Sequence, residues 1–203
     1  MHFEKRTPLF LQLGFREDGL TQLKAYIDLL WAANEDLNLI SRKMTYEELI
    51  DNHLVDCMLP LAQFPKNLKA AADFGSGGGL PGVLYAIQFP KTTFHLFEKS
   101  NKKQDFLNRC KAIAPNLVIN GDIPHNLQNI DLVTARAFKP IDVILDISRM
   151  YYKGGGKYFL LKGRLEKINE EIALSRKKFK DAAFKIEPLK SPILDVERHL
   201  VLF

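Results

Sequence analysis

A glycine-rich segment at residues 72–82, ADFGSGGGLPG, carries the strongest chemical signal in the sequence. It follows a short β-type run and precedes an amphipathic run, and its Pro81 suits the first turn of a helix. Glycines allow the backbone to turn sharply and to approach a ligand where a Cβ would collide. The N–H groups that open a helix favour negative charge, and open α/β sheets bind ligands at the carboxyl ends of their strands. The segment therefore predicts a ligand-binding loop.

This loop fits two classes of enzyme. Gly77, Gly79 and Gly82 match the G-x-G-x-x-G fingerprint of dinucleotide-binding proteins. The segment also contains the D-x-G-x-G-x-G form found in methyltransferases, in which Asp73 stands two residues before Gly75. A phosphate-binding P-loop is excluded, because no Gly-Lys-Ser or Gly-Lys-Thr follows. The loop alone leaves both classes open.

Glu98 is the second candidate binding residue. It ends the β-type run at residues 94–97, so we expect it at the tip of the second strand. A carboxylate there can accept hydrogen bonds from both ribose hydroxyls of an adenosine cofactor. NAD enzymes and methyltransferases both use this device, so Glu98 supports an adenosine ligand in either class.

Other residues favour methyl transfer over hydride transfer. The only Tyr-x-x-x-Lys pair, Tyr158 and Lys162, lies in a β-type run, where positions four apart are separated by about 13 Å. The pair could cooperate one turn apart on a helix, but not at that distance. Asp73 has no role in a pyrophosphate loop, whereas in a methyltransferase it can orient the amino-acid end of the cofactor. These residues leave the substrate of such a methyltransferase open. They also leave two alternatives to methyl transfer: an NAD-dependent oxidoreductase, and a non-catalytic nucleotide- or RNA-binding module.

Hydrophobic periodicity predicts the elements that must position these residues. Residues 1–68 are predicted to form a helical extension, in which Thr45 and Glu48 make a capping box. Between residues 69 and 203, β-type runs alternate with amphipathic runs, which predicts one compact, doubly wound α/β unit with a largely parallel sheet. The β-type runs are 70–74, 92–97, 117–119, 131–134, 157–161 and 200–203, and the amphipathic runs are 82–89, 100–113, 140–150 and 164–182.

Composition limits the class of protein. With 203 residues, of which 46% are hydrophobic and 26% charged, the chain fits one globular unit. Cys57 and Cys110 lack the spacing of a zinc site or disulfide framework, so we expect no metal. No apolar run reaches the ~20 residues of a membrane helix, and we expect a cytoplasmic protein without membrane contact. The net charge of +5 is concentrated in residues 99–111 and 176–180, which suits a phosphate backbone.

Short segments along nearly the whole chain form an ordered set of motifs. Residues 73–82 are similar to the motif D-V-G-T/S-G-x-G-L-P-G of one protein family. Residues 52–57, NHLVDC, are similar to the motif R-H-[IL]-x-D-S of the same family, from which Asn52 and Cys57 depart. Further matches are NLIS at 38–41, ARAF at 135–138, LKG at 161–163 and ERH at 197–199. Together they resemble the bacterial small-subunit rRNA guanine-N7 methyltransferases, the family once called glucose-inhibited division protein B.

The resemblance implies a class I, Rossmann-like fold with a seven-stranded, mostly parallel sheet. It also implies S-adenosylmethionine as cofactor and S-adenosylhomocysteine as product. Glu98 stands where the family usually has Asp, and Asp122 is an alternative to Pro124 and His125 for the adenine contact. The cofactor-binding residues that the resemblance implies are Asp73, Gly75, Gly77, Gly79, Leu80, Glu98, Pro124, His125 and Arg136.

The same resemblance implies that Arg136, Lys162 and Arg198 are catalytic, with His53 and His199 as secondary candidates. The implied acceptor is N7 of guanine 527, in the 530 loop of 16S rRNA in the small ribosomal subunit. Guanine N7 carries an in-plane lone pair and no proton, so its attack on a methyl group needs no general base and depends on positioning. We hypothesise that Arg136 and Lys162 donate to guanine O6 or to nearby phosphates, and we expect a monomer.

Overall fold

Seven strands form a single sheet in the computed structural model, which describes residues 2–203. They are β1 Ala70–Phe74, β2 Thr93–Phe97, β3 Leu117–Asn120, β4 Leu132–Arg136, β5 Tyr158–Lys162, β6 Lys185–Leu189 and β7 Arg198–Leu202. The order across the sheet is β3-β2-β1-β4-β5-β7-β6. Strands β1 to β5 pair in parallel, whereas β7 runs antiparallel to both β5 and β6. The predicted seven-stranded, mostly parallel, Rossmann-like fold is confirmed.

Helices cover both faces of this sheet. Phe159 and Leu161 of β5 belong to one buried apolar cluster, and Tyr158 and Leu160 belong to another. Because successive side chains of a strand point to opposite faces, the two clusters lie on opposite sides. The α-helices are α1 His2–Gln12, α2 Leu20–Leu37, α3 Tyr46–Leu49, α4 Val55–Met58, α5 Gly82–Gln88, α6 Asn101–Cys110, α7 Ile141–Ile147, α8 Arg149–Lys153 and α9 Leu165–Lys178. None of the helices within residues 2–203 is long and apolar enough to cross a membrane.

The helices that precede β1 share a core with one face of the sheet. Tyr26 and Leu30 of α2 lie in the same buried cluster as Val83 of α5, Leu107 of α6 and Phe159 of β5. All five side chains are fully buried. The N-terminal helices are therefore fixed against the sheet, where they can supply residues to a site at its edge.

The predicted capping box begins α3. The Oγ1 of Thr45 accepts the Glu48 N–H at 3.1 Å, and the Oε2 of Glu48 accepts the Thr45 N–H at 2.8 Å. The helical segment that begins with α3 is irregular, because Ile50–Leu54 forms a π-helical turn between α3 and α4. Turns of this kind are rare and are frequent at functional sites.

Two elements differ from the sequence-based expectation. The sequence does not predict strand β6, because KIEPL mixes charged residues with Pro188. A proline is tolerated in this strand because β6 lies at the edge of the sheet. The amphipathic run at residues 140–150 forms two helices that meet at Ser148. The Ser148 hydroxyl bonds to the carbonyl of Ile144 at 2.7 Å and to the hydroxyl of Tyr158 at 2.6 Å. This buried serine joins the helix junction to β5.

Candidate functional site

A cavity of about 640 Å³ opens at the carboxyl ends of β1, β2 and β4. We call it the glycine-loop cavity. It lies where the strand order reverses between β1 and β4, the position at which open α/β sheets bind ligands. Its size falls within the roughly 300–1,000 Å³ that is typical of small-molecule sites. Its lining includes Leu30, Leu39, Ile40, His53, Gly75, Ser76, Gly77, Gly78, Leu80, Glu98, Lys99, Asp122, Arg136 and Phe138.

The backbone of the loop after β1 requires glycine at two positions that line this cavity. Gly75 has a φ of +70°, and a Cβ on it would lie 2.1 Å from the ring of Phe138. Gly77 has a φ of +54°, and a Cβ on it would meet only the carbonyl oxygen of Gly75, at 3.8 Å. The space beside Gly77 therefore belongs to the cavity. Leu80 lines the cavity too. Gly79 is not among the lining residues, and a Cβ on it would collide with Val83 of α5.

Hydrogen bonds hold this loop against neighbouring elements. The N–H groups of Gly75 and Ser76 donate to the carbonyl of Phe97 at the end of β2, at 2.9 and 3.1 Å. From the other side, the hydroxyl of Tyr26 on α2 donates to the carbonyl of Gly78 at 2.7 Å. The loop is thus shaped by β2 and by a helix of the N-terminal segment.

Glu98 joins the loops that follow β1 and β2. Its Oε2 accepts the Gly77 N–H at 3.0 Å, and its Oε1 accepts the Ser100 N–H at 2.9 Å. An ionised carboxylate offers about four lone-pair sites, so Glu98 keeps capacity for further donors. The structure places it at the strand end and in the cavity wall, as the sequence predicted.

Asp73 lies beneath the loop and is not among the residues that line the cavity. The residue is 1% exposed, and neither carboxylate oxygen makes a hydrogen bond. Burial raises the pKa of Asp73 to about 7, although the neighbouring Ser76 hydroxyl and Gly82 N–H oppose the shift. A Cβ on Gly82 would lie 2.7 Å from Oδ2, so this carboxylate packs against the start of α5.

The predicted adenine contacts lie elsewhere. Pro124 and His125 are exposed and are not among the cavity-lining residues, whereas Asp122 and Ile123 are. Asp122 also forms an ion pair with Lys99, with 2.9 Å between Oδ1 and Nζ. The structure therefore brings the alternative, Asp122, to the cavity and leaves Pro124 and His125 outside it.

Arg136 ends β4 and is surrounded by polar groups from the segment before β1. Its Nε lies 3.3 Å from the Oδ2 of Asp56, its Nη1 donates to the Sγ of Cys57 at 3.3 Å, and its Nη2 pairs with the Nδ1 of His53. Arg198 of β7 donates from Nε to the Oδ1 of Asp56 at 2.6 Å. We call these five residues the Asp56 cluster.

Local helix geometry explains how three members of this cluster come together. His53, Asp56 and Cys57 stand at positions i, i+3 and i+4, which share one face of a helix. Burial, together with the charges of Arg136 and Arg198, lowers the pKa of His53 to about 4. Burial raises the pKa of Cys57 to about 12 against the opposing charge of Arg136. At neutral pH the histidine is thus uncharged and the cysteine is a thiol.

A second cavity of about 400 Å³, the polar cavity, adjoins the first. Arg136, Ala137, Phe138 and Lys139 line both cavities and form their common wall. The polar cavity is also lined by five charged or polar side chains, those of Asp56, Lys162, Glu171, Arg198 and His199. The structure therefore brings the three predicted catalytic residues, Arg136, Lys162 and Arg198, around one cavity.

Lys162 and His199 are held in this wall by neighbouring groups. The Nζ of Lys162 donates to the Oε2 of Glu171 at 2.8 Å and to the carbonyl of Lys139 at 2.9 Å. The Nδ1 of His199 lies 2.7 Å from the carbonyl oxygen of Gly163 and donates to it. Glu171, which the sequence analysis did not single out, is buried on α9 and also accepts the Ile141 N–H at 3.1 Å.

The structure provides no geometry for the alternative dehydrogenase pair. Tyr158 is buried at the start of β5 and bonds to Ser148, whereas Lys162 ends the same strand. Among residues 2–203 there is also no group of three or more His, Cys, Asp or Glu side chains that could hold a metal ion.

The sequence is similar to those of known proteins along almost its whole length. The model of the GidB family, described as rRNA small subunit methyltransferase G, matches residues 19–201. The chain is 72% identical to ribosomal RNA small subunit methyltransferase G 1 of Bdellovibrio bacteriovorus, over 99% of this chain and 98% of the relative.

Solved structures share the fold at low sequence identity. Precorrin-6y C5,15-methyltransferase of Geobacter metallireducens is 13% identical, with a TM-score of 0.54 over 80% of this chain and 90% of that chain. Aeropyrum pernix fibrillarin, with natively bound S-adenosyl-L-methionine, is 15% identical, with a TM-score of 0.52 over 73% of this chain and 72% of that chain. These likenesses concern the fold alone.

Proposed function

The chain belongs to the GidB family of rRNA small subunit methyltransferase G proteins, and from this membership we propose that it methylates N7 of a guanine in 16S rRNA with S-adenosylmethionine. It is a methyltransferase, and guanine 527 in the 530 loop is the acceptor that we assign. The observation that carries the proposal is the junction of the two cavities at Arg136. One cavity suits an adenosine cofactor, and the other suits a nucleotide.

The residues of the glycine-loop cavity fit S-adenosylmethionine. Gly77 leaves open the space that a side chain would occupy, and Glu98 can accept from the ribose hydroxyls. Asp122 and Ile123 border the part of the cavity next to β3, where we place the adenine. The cofactor supplies an electrophilic methyl group on a sulfonium sulfur. Fibrillarin, which shares the fold, carries this cofactor in its crystal structure.

The charged residues of the polar cavity fit a nucleotide. Arg136, Lys162 and Arg198 can donate to phosphate oxygens or to O6 of the base, which leaves N7 free to attack the methyl group. Methylation at N7 removes no proton, so no general base is required. The two carboxylates of this cavity, Asp56 and Glu171, already form ion pairs with cationic side chains, which is consistent with a reaction without a general base. These carboxylates position cations and do not act as bases.

We attribute the rate of methyl transfer to the positioning of the base and to the exclusion of water. Leu30, Leu39 and Ile40 from the N-terminal segment are apolar residues in the lining of the glycine-loop cavity. Phe138 belongs to both cavities and packs against Phe74, with 6.3 Å between ring centroids. Rigid apolar walls at the junction favour an in-line approach of the base nitrogen to the methyl group.

One of the two basic segments suits the RNA better than the other. Lys99 and Lys103 line the glycine-loop cavity, so the basic segment around α6 borders the site. No residue of the segment 176–180 is among those that line either cavity. We place rRNA phosphates along α6. A single chain supplies both cavities, and we propose a monomer that acts in the cytoplasm on the small subunit or its rRNA.

A methyl-transfer assay with mapped product tests this function. The purified protein is incubated with radiolabelled S-adenosylmethionine and with small-subunit rRNA from cells that lack the gene, as naked RNA and as assembled particles. Cleavage selective for 7-methylguanosine locates the label. We expect one methyl group at a single loop guanine. Label at another atom, or no label on either substrate despite measurable cofactor binding, would show that the acceptor is different.

A further inference from the structure

His53 presents one ring nitrogen to Arg136 and is held in a single tautomer. Its Nδ1 pairs with the Nη2 of Arg136. A guanidinium has five donors and no acceptor, so Nδ1 must be the acceptor. In a neutral imidazole the proton then resides on Nε2. The side chain of Asp56, which pairs with the Nε of Arg136, fixes the arginine that imposes this tautomer.

The other ring nitrogen has no partner in the protein. Among residues 2–203 no group forms a hydrogen bond with Nε2, and His53 is one of the residues that line the glycine-loop cavity. The low pKa of His53, caused first by burial, keeps the ring neutral at physiological pH. The cavity therefore contains one uncharged N–H donor whose orientation is set by the protein.

The position of this donor is at the reacting end of the cavity. Glu98 follows β2, the glycine loop follows β1, and Arg136 ends β4, so these three features lie in that order along the sheet edge. His53 lines the glycine-loop cavity and contacts Arg136, which belongs to the wall that both cavities share. It lies at the end opposite the assigned ribose contact, where a base must approach the methyl group.

We propose that His53 selects guanine by donating its Nε2–H to O6 of the target base, an inference that rests on the proposed function. Guanine presents O6 as an acceptor next to N7, whereas adenine presents an N6 amino donor at the same place. A fixed N–H donor pairs with O6 and faces the adenine amino group donor to donor, which leaves both unpaired. Arg136 then acts as the positioning residue for His53 and keeps its remaining N–H groups for a phosphate or the cofactor.

A cycle that combines a protein change with a base change tests the contact. The target guanine is replaced by 2-aminopurine, which keeps N7 but has hydrogen in place of O6, in 16S rRNA that is otherwise unchanged. Methyl transfer to both RNAs is measured with the wild type and with His53→Phe, which keeps a planar ring without a donor. We expect the wild type to lose about 10- to 100-fold in kcat/KM on 2-aminopurine. His53→Phe should lose a similar factor on guanine and little more on 2-aminopurine.

Two further variants keep this test decisive. His53→Gln retains an amide N–H donor and should recover part of the preference for guanine. This variant also keeps the test possible if His53→Phe does not fold. His95→Phe on β2, outside both cavities, is the matched control and should keep the wild-type ratio. If the losses from His53→Phe and 2-aminopurine simply multiply, His53 does not contact O6.

The outcomes separate this inference from the proposed function. A rise in the Kd for S-adenosylmethionine with unchanged base preference would assign the donor to the cofactor and overturn the inference. A wild type that methylates guanine N7 without any coupling to His53 would leave the proposed function intact and refute only the inference. Failure of the wild type to methylate the rRNA would refute the function itself.

Discussion

Arg198 donates from its Nε to the Oδ1 of Asp56 at 2.6 Å, although 142 residues separate the two in the chain. The other oxygen of Asp56 faces Arg136, so one carboxylate holds cations from β7 and β4 at the edge of the polar cavity. Asp56 belongs to the helical segment that precedes the sheet. The N-terminal segment is therefore a part of the site and not only a cover for the sheet.

Replacing Asp56 with Asn should destabilise the protein. The side chains of Asp56 and Arg136 are 10% and 13% exposed, and removal of one partner leaves a buried charge uncompensated. We expect a loss of about 3 kcal/mol in the free energy of unfolding. For a chain of this size that corresponds to a fall in Tm of about 6–12 °C. Thermal unfolding followed by circular dichroism measures it. Asp105→Asn, an exposed aspartate on α6, should leave Tm unchanged, and an equal shift in both variants would contradict the assignment.

Arg136→Ala should lower kcat/KM for methyl transfer by about 100-fold or more, since the guanidinium lies in the wall between the two cavities. Arg136→Lys should not restore the rate, because one ammonium group cannot contact Asp56, Cys57 and His53 in the same fork geometry. Single-turnover methylation of the rRNA is the measurement. Arg149→Ala, on α8 and outside both cavities, serves as control. Wild-type activity of Arg136→Ala would remove Arg136 from the reaction.

Local sequence patterns predict a large part of this fold. Short β-type runs locate six of the seven strands, and five of these six, all except β3, bury most of their side chains. Glycine spacing locates the loop at Gly75 and Gly77, whose positive φ angles depend on residue type. Glu98 is found because a residue that directly follows a strand must lie at the sheet edge.

Long-range contacts could not be predicted in the same way. The spacing of His53, Asp56 and Cys57 shows a common helix face, but it does not show that Arg136 and Arg198 lie against it. That depends on how the helices before β1 pack on the sheet. Loop conformation is equally hard to predict, since a shift of two positions brings Asp122 to the cavity in place of Pro124 and His125.

Glu98→Gln should weaken cofactor binding more than it slows the chemical step. The change removes the negative charge, and one of the two carboxylate acceptors becomes an amide donor that cannot accept from Gly77 or from a ribose hydroxyl. Loss of a hydrogen bond to a charged group costs about 1.5–3 kcal/mol, so we expect the Kd for S-adenosylmethionine to rise about 10- to 100-fold. Isothermal titration calorimetry measures this Kd. Glu35→Gln on the exposed side of α2 should bind normally.

Tyr26→Phe should weaken cofactor binding, because Tyr26 of α2 helps to shape the glycine-rich loop after β1. The variant deletes the hydroxyl that donates to the carbonyl of Gly78 while it preserves the buried ring. A loss of about 1 kcal/mol should raise the Kd for S-adenosylmethionine about fivefold. Tyr46→Phe is a matched control, because it also loses one hydrogen bond, to Asp28 at 2.7 Å, and neither residue lines a cavity. Equal cofactor affinity in the two variants would mean that Tyr26 has no part in positioning the loop.

Asp73 should make the stability of the protein depend on pH near neutrality. Burial raises its pKa to about 7 in the folded protein, against an ordinary value of 3.8, so the folded state holds the proton more tightly than the unfolded state does. The resulting stabilisation is complete below pH 3.8 and is lost as the pH rises through about 7. Asp73→Asn has no titrating group at this position. Between pH 5 and pH 8 the free energy of unfolding of the wild type should therefore fall by about 2–3 kcal/mol relative to that of the variant. Urea unfolding at the two pH values gives the difference. The contributions of His53 and all other groups cancel in this comparison, and a difference that is independent of pH would show that Asp73 is ionised throughout.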